Sequence, residues 1–487
     1  MRRLRFYPFL FALHPLVYVY CQIDEAFSVV TVVLVGLAVL ALTELMIIVL
    51  RRYFDSDSSD ISVSVFWIWL FSYSSFRVLV YGENVMLSEK FLIPIWIAIA
   101  AVSWWLILRK RKWSPNVNQF LNILGGMFLL IALWPHAKDP RKDFTPIQVV
   151  SLESASRGTA QPPDTLPNIY YILMDAYPAP SVLKRQTGID DSGFTSFLRE
   201  KRFLIADPSF SNYSYTLASL SSTLNMQYLP MASVQGNNWQ IDCNPKSLER
   251  SIRNNLVMRF LRSRGYKFVD LSIWDFGAEN DYQYVHNYYV DRFVMELLHR
   301  TIISAPIIDN VIVGLEERLD DRLKLGALDS VSRLKGPLFI YMHLYSTHEP
   351  YVVDEQGKKI PLISRILQSR SDRASFEKQF RFVTYQAREA IEKILKGSSR
   401  PPIIIVQGDH GPPIAGDSKQ LRMGMIEAFF LPGGRGIDLP PRISPVNNFR
   451  FILNNYFGAG LGLLENRHFT PTGMVFEDVS DSIMYHR

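Results

Sequence analysis

The stretch Pro401-Pro-Ile-Ile-Ile-Val-Gln-Gly-Asp-His-Gly411 decides the fold of this chain. Four β-branched apolar residues in succession, 403–406, predict a strand that is buried on both faces. The strand is followed by Asp409 and His410, two side chains that bind divalent metals. Ligands bind at the carboxyl ends of the strands in an open α/β sheet, so this pair is a candidate for a site. Gly411 is expected to let the backbone turn away sharply.

Strands alternate with helices from Pro167 to the C-terminus. The helix expected over 372–396 has apolar residues at three- and four-residue spacing and ends at Gly397. The alternation predicts an α/β fold in which helices flank a mainly parallel central sheet, and about 320 residues suffice for a large core. Strands are expected at 168–174, 267–271, 338–344, 403–406 and 428–431, and further helices at 192–201, 216–225 and 246–264.

The first third of the chain holds most of its apolar excess. Hydrophobic residues make up 48% of the sequence, which is high for a purely soluble protein, and they are concentrated before residue 136. Five apolar segments there are each close to the ~20 residues that cross a bilayer as a helix. We therefore expect a transmembrane helical region at 1–135. The segments run over 6–21, 26–50, 61–81, 91–108 and 117–134.

Basic residues are concentrated at alternate ends of these segments. The clusters lie at 2–5, 51–52 and 109–112. The positive-inside rule then puts the N-terminus in the cytoplasm and, with five crossings, the remainder of the chain outside. We expect a linker at 136–166, rich in Pro, Asp, Lys, Ser and Gln, and an extracytoplasmic domain at 167–487. The protein is thus expected to be a multi-pass protein of the cell membrane.

Charge and cysteine content exclude several classes of protein. The net charge of +6 is explained by basic residues that flank apolar segments, so no nucleic-acid partner is expected. The two cysteines, Cys21 and Cys243, lie far apart in the sequence. A disulfide framework and a cysteine-based zinc site are therefore excluded.

Polar residues at two other strand ends point to the same edge of the sheet. Asp175 directly follows the strand expected at 168–174, and the strand at 338–344 contains His343 and is followed by His348. Each residue alone is more often structural than functional. Together with Asp409, they indicate a site, because the carboxyl ends of parallel strands meet at one edge.

A hydroxyl group at the start of a helix completes the set. Thr216 begins the helix expected over 216–225, where backbone N–H groups and the helix dipole favour an anionic group. This position suits a nucleophilic oxygen, although a helix cap is the commoner use of such a residue. Ser214 and Ser219 are close enough to remain alternatives to Thr216.

These motifs resemble the alkaline phosphatase/sulfatase superfamily. Five spans followed by an outward domain are similar to the lipoteichoic acid synthases and the phosphoethanolamine transferases. The resemblance covers Pro167 to the C-terminus by motif and residues 1–135 by topology. It rests on the order of a strand ending in Asp175, Thr216 at a helix start, His343 with His348, and Gly-Asp409-His410-Gly.

The resemblance implies a metal site and a covalent mechanism. Asp175, Asp409 and His410 would bind a divalent metal ion, zinc or manganese, together with the Thr216 oxygen. Thr216 would attack a phosphodiester and hold the phosphoryl group until an acceptor displaces it.

The resemblance also implies the substrates of the reaction. His343 and His348 match the paired histidines of the phosphoethanolamine transferases, which would bind phosphate oxygens or protonate the leaving alcohol. The donor would be a membrane phospholipid that gives up a phosphoglycerol or phosphoethanolamine headgroup. The acceptor would be a polyol or sugar of the cell envelope.

Three departures from the superfamily pattern keep two alternatives open. Asp175 is followed by Ala176 rather than by the second Asp of sulfatases, and Cys243 lacks the Arg of the sulfatase signature. Pro412-Pro413 stand where the transferases carry an acid, which argues against a full two-metal site. One alternative is a sulfatase-like hydrolase that cleaves phosphodiesters or sulfate esters with water. The other is a non-catalytic sulfatase-like membrane protein.

Overall fold

A computed structural model gives the fold of the chain. It describes residues 5–22, 28–81, 89–110, 113–137, 166–241, 243–272, 280–284, 291–302, 314–344, 347–349, 351–367, 372–414, 418–433, 437–472 and 475–484. Most of the expected linker at 136–166 lies outside these residues.

The chain folds as two compact units. One comprises Met1–Phe144 and Tyr288–Ile312, and the other comprises Thr145–Asn287 and Val313–Arg487. The first unit is helical and the second is the α/β unit. The expected boundaries at 135, 136–166 and 167 remain predictions.

The helical unit contains the five apolar segments as helices and a sixth helix from later in the chain. The first five are α1 (Tyr7–Gln22), α2 (Val29–Leu50), α3 (Ser56–Tyr81), α4 (Glu89–Arg109) and α5 (Pro115–Ala137). The later helix, α11 (Arg292–His299), is amphipathic and buries Phe293 and Leu297 against Leu16 and Val19 of α1. The side chain of Asp291 caps α11 and accepts a hydrogen bond from the backbone N–H of Ser28 at 2.9 Å.

Three helices within the described residues are long and apolar enough to cross a membrane. They cover Val29–Leu50, Leu92–Arg109 and Asn116–Trp134. The expected count of five crossings is thereby lowered to three, although all five segments are helical. The 16 residues of α1 extend about 24 Å, which is less than the ~30 Å hydrocarbon core. The first turns of α3 are polar, with Asp60 buried in an ion pair with Arg51 at 2.8 Å.

The α/β unit alternates strands and helices as expected. Its helices are α6 (Pro180–Thr187), α7 (Ser192–Glu200), α8 (Thr216–Asn225), α9 (Pro245–Arg253), α10 (Leu256–Ser263), α12 (Gly314–Val331), α13 (Leu362–Leu367), α14 (Arg373–Gly397), α15 (Lys419–Met423), α16 (Pro445–Phe457) and α17 (Ser480–Met484). Its strands are β1 (Ile169–Met174), β2 (Leu204–Ile205), β3 (Ser209–Phe210), β4 (Met231–Gln235), β5 (Asn238–Ile241), β6 (Lys267–Leu271), β7 (Tyr282–Gln283), β8 (Leu338–Leu344), β9 (Ile403–Gly408), β10 (Gly424–Met425), β11 (Glu427–Phe430), β12 (Phe469–Thr472) and β13 (Val475–Asp478).

A seven-stranded sheet forms the centre of this unit. Its strand order is β2-β11-β9-β1-β8-β6-β7, and β11 pairs antiparallel with both of its neighbours. The pairs β9-β1, β1-β8, β8-β6 and β6-β7 are parallel. The α/β fold with a mainly parallel central sheet is therefore confirmed. Two small sheets accompany it, in the orders β10-β3 and β12-β13-β5-β4.

Helices bury both faces of the central sheet. Along β1, Tyr170, Ile172 and Met174 join one hydrophobic cluster, to which α14 contributes Phe376, Phe380 and Val383. The alternate residues Ile169, Tyr171 and Leu173 join a second cluster with residues of α10 and α16. Burial on both faces explains the uninterrupted apolar runs of β1 and β9, which the sequence showed.

One expected helix is interrupted. Residues 246–264 form two helices, α9 and α10, rather than one continuous helix. Asn255 separates them, because its side chain accepts a hydrogen bond from the backbone N–H of Met258 at 2.8 Å and caps α10. Asparagine competes in this way with the helical backbone, and the apolar spacing alone did not reveal the break.

Candidate active site

Strand register brings the two acidic residues together. In the parallel pair β1-β9, Met174 lies opposite Gly408, so Asp175 and Asp409 follow neighbouring strands at the same level. Adjacent strands are only ~4.8 Å apart, and two carboxylates at this spacing repel each other. Both residues are fully buried. Burial first, and the charge of Asp409 second, raise the pKa of Asp175 well above its usual range.

Each carboxylate keeps one oxygen without a hydrogen bond. Asp409 Oδ1 accepts from the backbone N–H groups of Ala176 and His410, at 2.8 and 2.9 Å. The other oxygen of Asp409 and Oδ1 of Asp175 are buried and have no hydrogen-bond partner among the described residues. Buried acceptors of this kind are costly unless a cation or donor reaches them.

The imidazole of His410 presents a bare nitrogen to the same space. Its Nδ1 lies 3.1 Å from the carbonyl oxygen of Gly411, which can only accept, so Nδ1 carries the proton. Burial lowers the pKa of His410 well below its ordinary value, which keeps the ring neutral. Its Nε2 therefore offers a lone pair, and it lies 3.3 Å from Asp409 Oδ2. Two lone pairs facing each other require a cation between or beside them.

The donor set therefore fits a divalent metal ion. One ligand atom each from Asp175, Asp409 and His410 lies within 4.8 Å of the others, and all three residues are buried. Two carboxylate oxygens and one imidazole nitrogen suit zinc or manganese.

The hydroxyl group of Thr216 lies beside this set. Thr216 is the first residue of α8, and its Oγ1 lies 3.4 Å from Nε2 of His410. Thr216 is half-buried, so the residue is in part open to solvent. Ser214 and Ser219, by contrast, are buried, and the Ser219 hydroxyl pairs with Ser211 at 3.2 Å. Accessibility and position thus favour Thr216 among the three hydroxyl groups.

His343 contacts one of the candidate metal ligands and is not itself part of that set. It is fully buried, and its Nε2 lies 3.2 Å from Asp175 Oδ2. Burial first, and the charge of Lys324 second, lower the pKa of His343 to about 3. Lys324 is itself buried and donates to the His343 carbonyl oxygen at 2.6 Å and to Asp321 at 2.8 Å. A neutral His343 held in this way orients the Asp175 carboxylate, as second-layer partners of metal ligands do.

His348 is the more accessible of the two paired histidines. Its side chain is 28% exposed, and its Nδ1 lies 2.5 Å from the carbonyl oxygen of Glu349. Burial opposes a charge on this ring, but the carboxylates of Asp175 and Glu349 outweigh burial and raise its pKa. With its raised pKa and partial exposure, His348 is better suited than His343 to carry and give up a proton.

Arg422 is a further residue near the site, and sequence reasoning missed it. It lies in α15, and its Nη1 donates to the carbonyl oxygen of Gly411 at 2.8 Å. Burial lowers the pKa of this guanidinium, which the carboxylates of Glu349 and Asp409 oppose. A half-buried guanidinium within electrostatic reach of the candidate metal ligands is suited to phosphate oxygens. No local motif surrounds Arg422, because the tertiary fold alone brings α15 to the loop after β9.

The backbone at the site is strained and tightly packed. Ala176, directly after Asp175, has a φ of 52°, which an L-residue adopts only when its surroundings enforce it. Its hydrogen bond to Asp409 fixes that conformation. A Cβ at Gly411 would lie 1.7 Å from the carbonyl oxygen of Leu421. This glycine therefore permits close approach of α15, rather than the sharp turn that the sequence suggested.

Two sequence features remain outside the site. Cys243 packs beside a small cluster that includes Leu229, Ile241 and Phe469, as an ordinary half-buried residue. His468 is buried, and its Nδ1 lies 2.8 Å from the carbonyl oxygen of Ser211. Burial lowers the pKa of His468 to about 4.

Comparison with known proteins identifies the family. A profile of the sulfatase family matches residues 167–436, which is more than half of the chain. The chain belongs to the sulfatase family and is an enzyme of the sulfatase/alkaline phosphatase superfamily. No curated protein sequence matches the chain.

Solved structures with a similar fold include transferases and sulfatases. The C-terminal periplasmic domain of EcEptC from Escherichia coli is 11% identical, with a TM-score of 0.43, and the match covers 68% of this chain and 96% of that one. The same domain in complex with Zn is 12% identical, with a TM-score of 0.44. The C-terminal periplasmic domain of phosphoethanolamine transferase EptC from Campylobacter jejuni is 12% identical, with a TM-score of 0.35. That match covers 60% of this chain and 90% of that one. A glycosaminoglycan sulfatase from Bacteroides thetaiotaomicron is 16% identical, with a TM-score of 0.37, and the match covers 60% of this chain and 73% of that one.

Proposed function

We propose that this protein is a membrane-anchored, metal-dependent phosphotransferase. It moves a phosphoglycerol- or phosphoethanolamine-type headgroup from a membrane phospholipid to a polyol or sugar of the cell envelope. The observation that carries the proposal is the position of the Thr216 hydroxyl group, 3.4 Å from His410 Nε2 at the start of α8, in a residue that is only half-buried. The α/β unit lies at the extracytoplasmic face, where phospholipid is an abundant phosphodiester.

Asp175, Asp409, His410 and the Thr216 oxygen would hold the metal ion. When bound, zinc or manganese lowers the pKa of the hydroxyl group and stabilises charge on the transferred phosphoryl group. The backbone N–H groups at the start of α8 favour the same negative charge.

The first step transfers the headgroup to the enzyme. Thr216 Oγ1 loses its proton to solvent and forms a bond to the phosphorus of the donor lipid. The bond between phosphorus and the diacylglycerol oxygen breaks, and protonated His348 gives its proton to that oxygen. Arg422 pairs with the phosphate oxygens during the exchange.

The second step releases the headgroup to the acceptor. An acceptor hydroxyl gives its proton to His348 and forms a bond to phosphorus, and the bond to Thr216 Oγ1 breaks. His343 keeps Asp175 oriented throughout, through the contact between Nε2 and Oδ2. Thr216 Oγ1 then takes up a proton from solvent, which replaces the one it lost in the first step and returns the enzyme to its starting state.

The nucleophile argues against sulfate ester hydrolysis by the sulfatase route. The sulfatases mature a Cys or Ser to an aldehyde, whereas oxidation of Thr216 would give a ketone because its Cβ carries a methyl group. Cys243 belongs to a different cluster and offers no substitute.

The test is the intact mass of the full chain after incubation with phosphatidylglycerol or phosphatidylethanolamine. We expect an adduct of the corresponding headgroup mass on wild-type protein and none on Thr216→Ala, whose turnover of labelled lipid falls at least about 100-fold. Ser214→Ala is the matched control and should keep the adduct. Full turnover by Thr216→Ala would overturn the covalent mechanism.

Product analysis separates the transferase from the alternatives. Free headgroup phosphate as the sole product, with acceptor sugars or polyols present, would identify a hydrolase that uses water. Failure to take up zinc or manganese, measured by elemental analysis, would identify a non-catalytic protein.

A further inference from the structure

The helical unit contains a cavity of about 330 Å³ between α1, α3, α5 and the residue that follows α11. Its walls are mainly apolar and aromatic, and they include Phe11, Trp67, Phe71 and Phe128. Ile68 and Ile131, which also line it, are 41% and 57% exposed. The cavity therefore opens on the apolar outer surface of the helices, where acyl chains lie in a membrane.

One cation lines this cavity and no acid does so among the described residues. Arg300 places its guanidinium carbon 4.6 Å from the ring centroid of Tyr18. Its Nε is buried and has no hydrogen-bond partner in the described part of the chain. Arg300 is half-buried, and a buried Nε donor without an acceptor is costly, so the cavity favours an anionic group beside this guanidinium.

The remaining polar groups suit a phosphate ester. Ser75 is exposed and lines the cavity, and the His14 ring packs 5.4 Å from the ring of Phe128. The hydroxyl group of Ser72 donates to the carbonyl oxygen of Ile68. The polar residues that line the cavity are thus His14, Tyr18, Ser72, Ser75 and Arg300, next to apolar walls.

We propose that this cavity binds one phospholipid with a net negative headgroup. The phosphate contacts Arg300, and an acyl chain lies along the aromatic wall and leaves between Ile68 and Ile131. A zwitterionic lipid fits less well, because among the described residues the cavity lining offers a cation for the phosphate and no carboxylate for the ammonium group. The site goes beyond the proposed transfer reaction, since it uses none of the residues around Thr216.

The test is native mass spectrometry of the full chain in detergent, titrated with phosphatidylglycerol or phosphatidylcholine. We expect wild-type protein to retain one phosphatidylglycerol and to bind phosphatidylcholine at least about tenfold more weakly, since a charge-assisted hydrogen bond contributes about that factor. Arg300→Ala should lose the preference for phosphatidylglycerol.

Arg109→Ala is the matched control. Arg109 lies 4.5 Å from the ring centroid of Trp105, a geometry close to that of Arg300, but it is exposed and lines no part of the cavity. Its replacement should leave lipid retention unchanged. Equal weakening by Arg109→Ala and Arg300→Ala would mean that the lipid is held by surface charge alone, and would overturn the proposal.

A second variant, Ser75→Phe, tests the proposal independently in case Arg300→Ala misfolds. Ser75→Phe fills the cavity from an exposed position and leaves Arg300 in place, so it should abolish retention while the melting temperature stays close to that of the wild type. Unchanged retention in Ser75→Phe would also overturn the proposal. Thr216→Ala should bind phosphatidylglycerol like the wild type, so failure of the transfer mechanism and failure of this site are distinguishable.

Discussion

The carboxyl group of Asp191 accepts a hydrogen bond from the Tyr177 hydroxyl at 3.0 Å and is 5% exposed. Burial raises the pKa of Asp191 to about 7, although the Tyr177 hydrogen bond opposes this. The folded protein therefore binds a proton here that the unfolded chain releases near pH 4. Its stabilising contribution is complete below pH 4 and is lost as the pH rises through 7.

Asp191→Asn should remove this pH dependence. Wild-type protein should lose up to about 4 kcal/mol of its free energy of unfolding between pH 4 and 7 through this group. The amide of the variant imitates the protonated acid and does not titrate, so the variant should not show this loss. The measurement is the melting temperature of both proteins across that range. Asp190→Asn, half exposed next to it, is the control. Parallel curves for wild type and Asp191→Asn would contradict the prediction.

Single residues of the candidate site differ in how visible they are from the sequence. Asp175, Asp409 and His410 follow apolar strands, so the general rule for parallel sheets anticipates their meeting. Arg422 and Lys324 have no such signal, because they reach the site through packing of α15 and α12. The sequence also did not separate His343 from His348; His343 lies within the buried strand β8, whereas His348 lies beyond its end.

Among the structural elements, the loop that follows β9 contains a glycine, Gly411, that leaves no room for a side chain. At Gly411 a Cβ would lie 1.7 Å from the Leu421 carbonyl oxygen and 2.8 Å from that of Gly424. Both obstacles are backbone atoms, which cannot move aside as a flexible side chain would.

Gly411→Ala should therefore destabilise the α/β unit by more than about 4 kcal/mol, the range of severe packing defects. The expected readout is a large fall in melting temperature or loss of folded protein. Gly462→Ala, where a Cβ meets nothing within 4 Å, is the matched control and should change stability by less than about 0.5 kcal/mol. A melting temperature within a few degrees of the control would disprove the steric explanation.

Elements with strong periodicity were predicted well and interrupted ones were not. The strands β1, β6 and β8 lie within one residue of their expected bounds, because burial on both faces leaves long apolar runs. The break at Asn255 depends on a cap that competes with the helical pattern. The short α1 and the polar start of α3 show that apolar composition alone overestimates the number of crossings.

At the scale of the whole molecule, the two units should respond differently to metal removal. The proposed ion lies between acids of the α/β unit, and binding to the folded state stabilises that unit by about 4 kcal/mol at a thousandfold excess over Kd. Chelation should therefore lower the melting transition of the α/β unit and leave that of the helical unit unchanged.

Differential scanning calorimetry of the full chain, with and without a chelator, measures this difference. Asp409→Asn should show a lowered transition of the α/β unit even without chelator. Asp329→Asn, whose side chain is 65% exposed and pairs with Lys393 at 3.5 Å, should behave like the wild type. Equal shifts of both transitions would show that the metal ion does not act at this site.

The sequence predicts only in part which segments belong to each unit. The division between apolar helices and an α/β domain follows from hydropathy and periodicity. The grouping of 291–302 with the helical unit does not, because an amphipathic helix of eight residues gives no sign of the partner on which its apolar face packs.

The position of α11 in the chain has a mechanical consequence. Its apolar residues Phe293 and Leu297 are buried against α1, although the chain on both sides of it belongs to the α/β unit. A protease that cuts between 138 and 165 breaks one covalent link between the two units. The segment 291–302 stays covalently joined to the α/β unit and packed against α1. The α/β unit would stay in the membrane fraction after such a cut and would be released only by detergent.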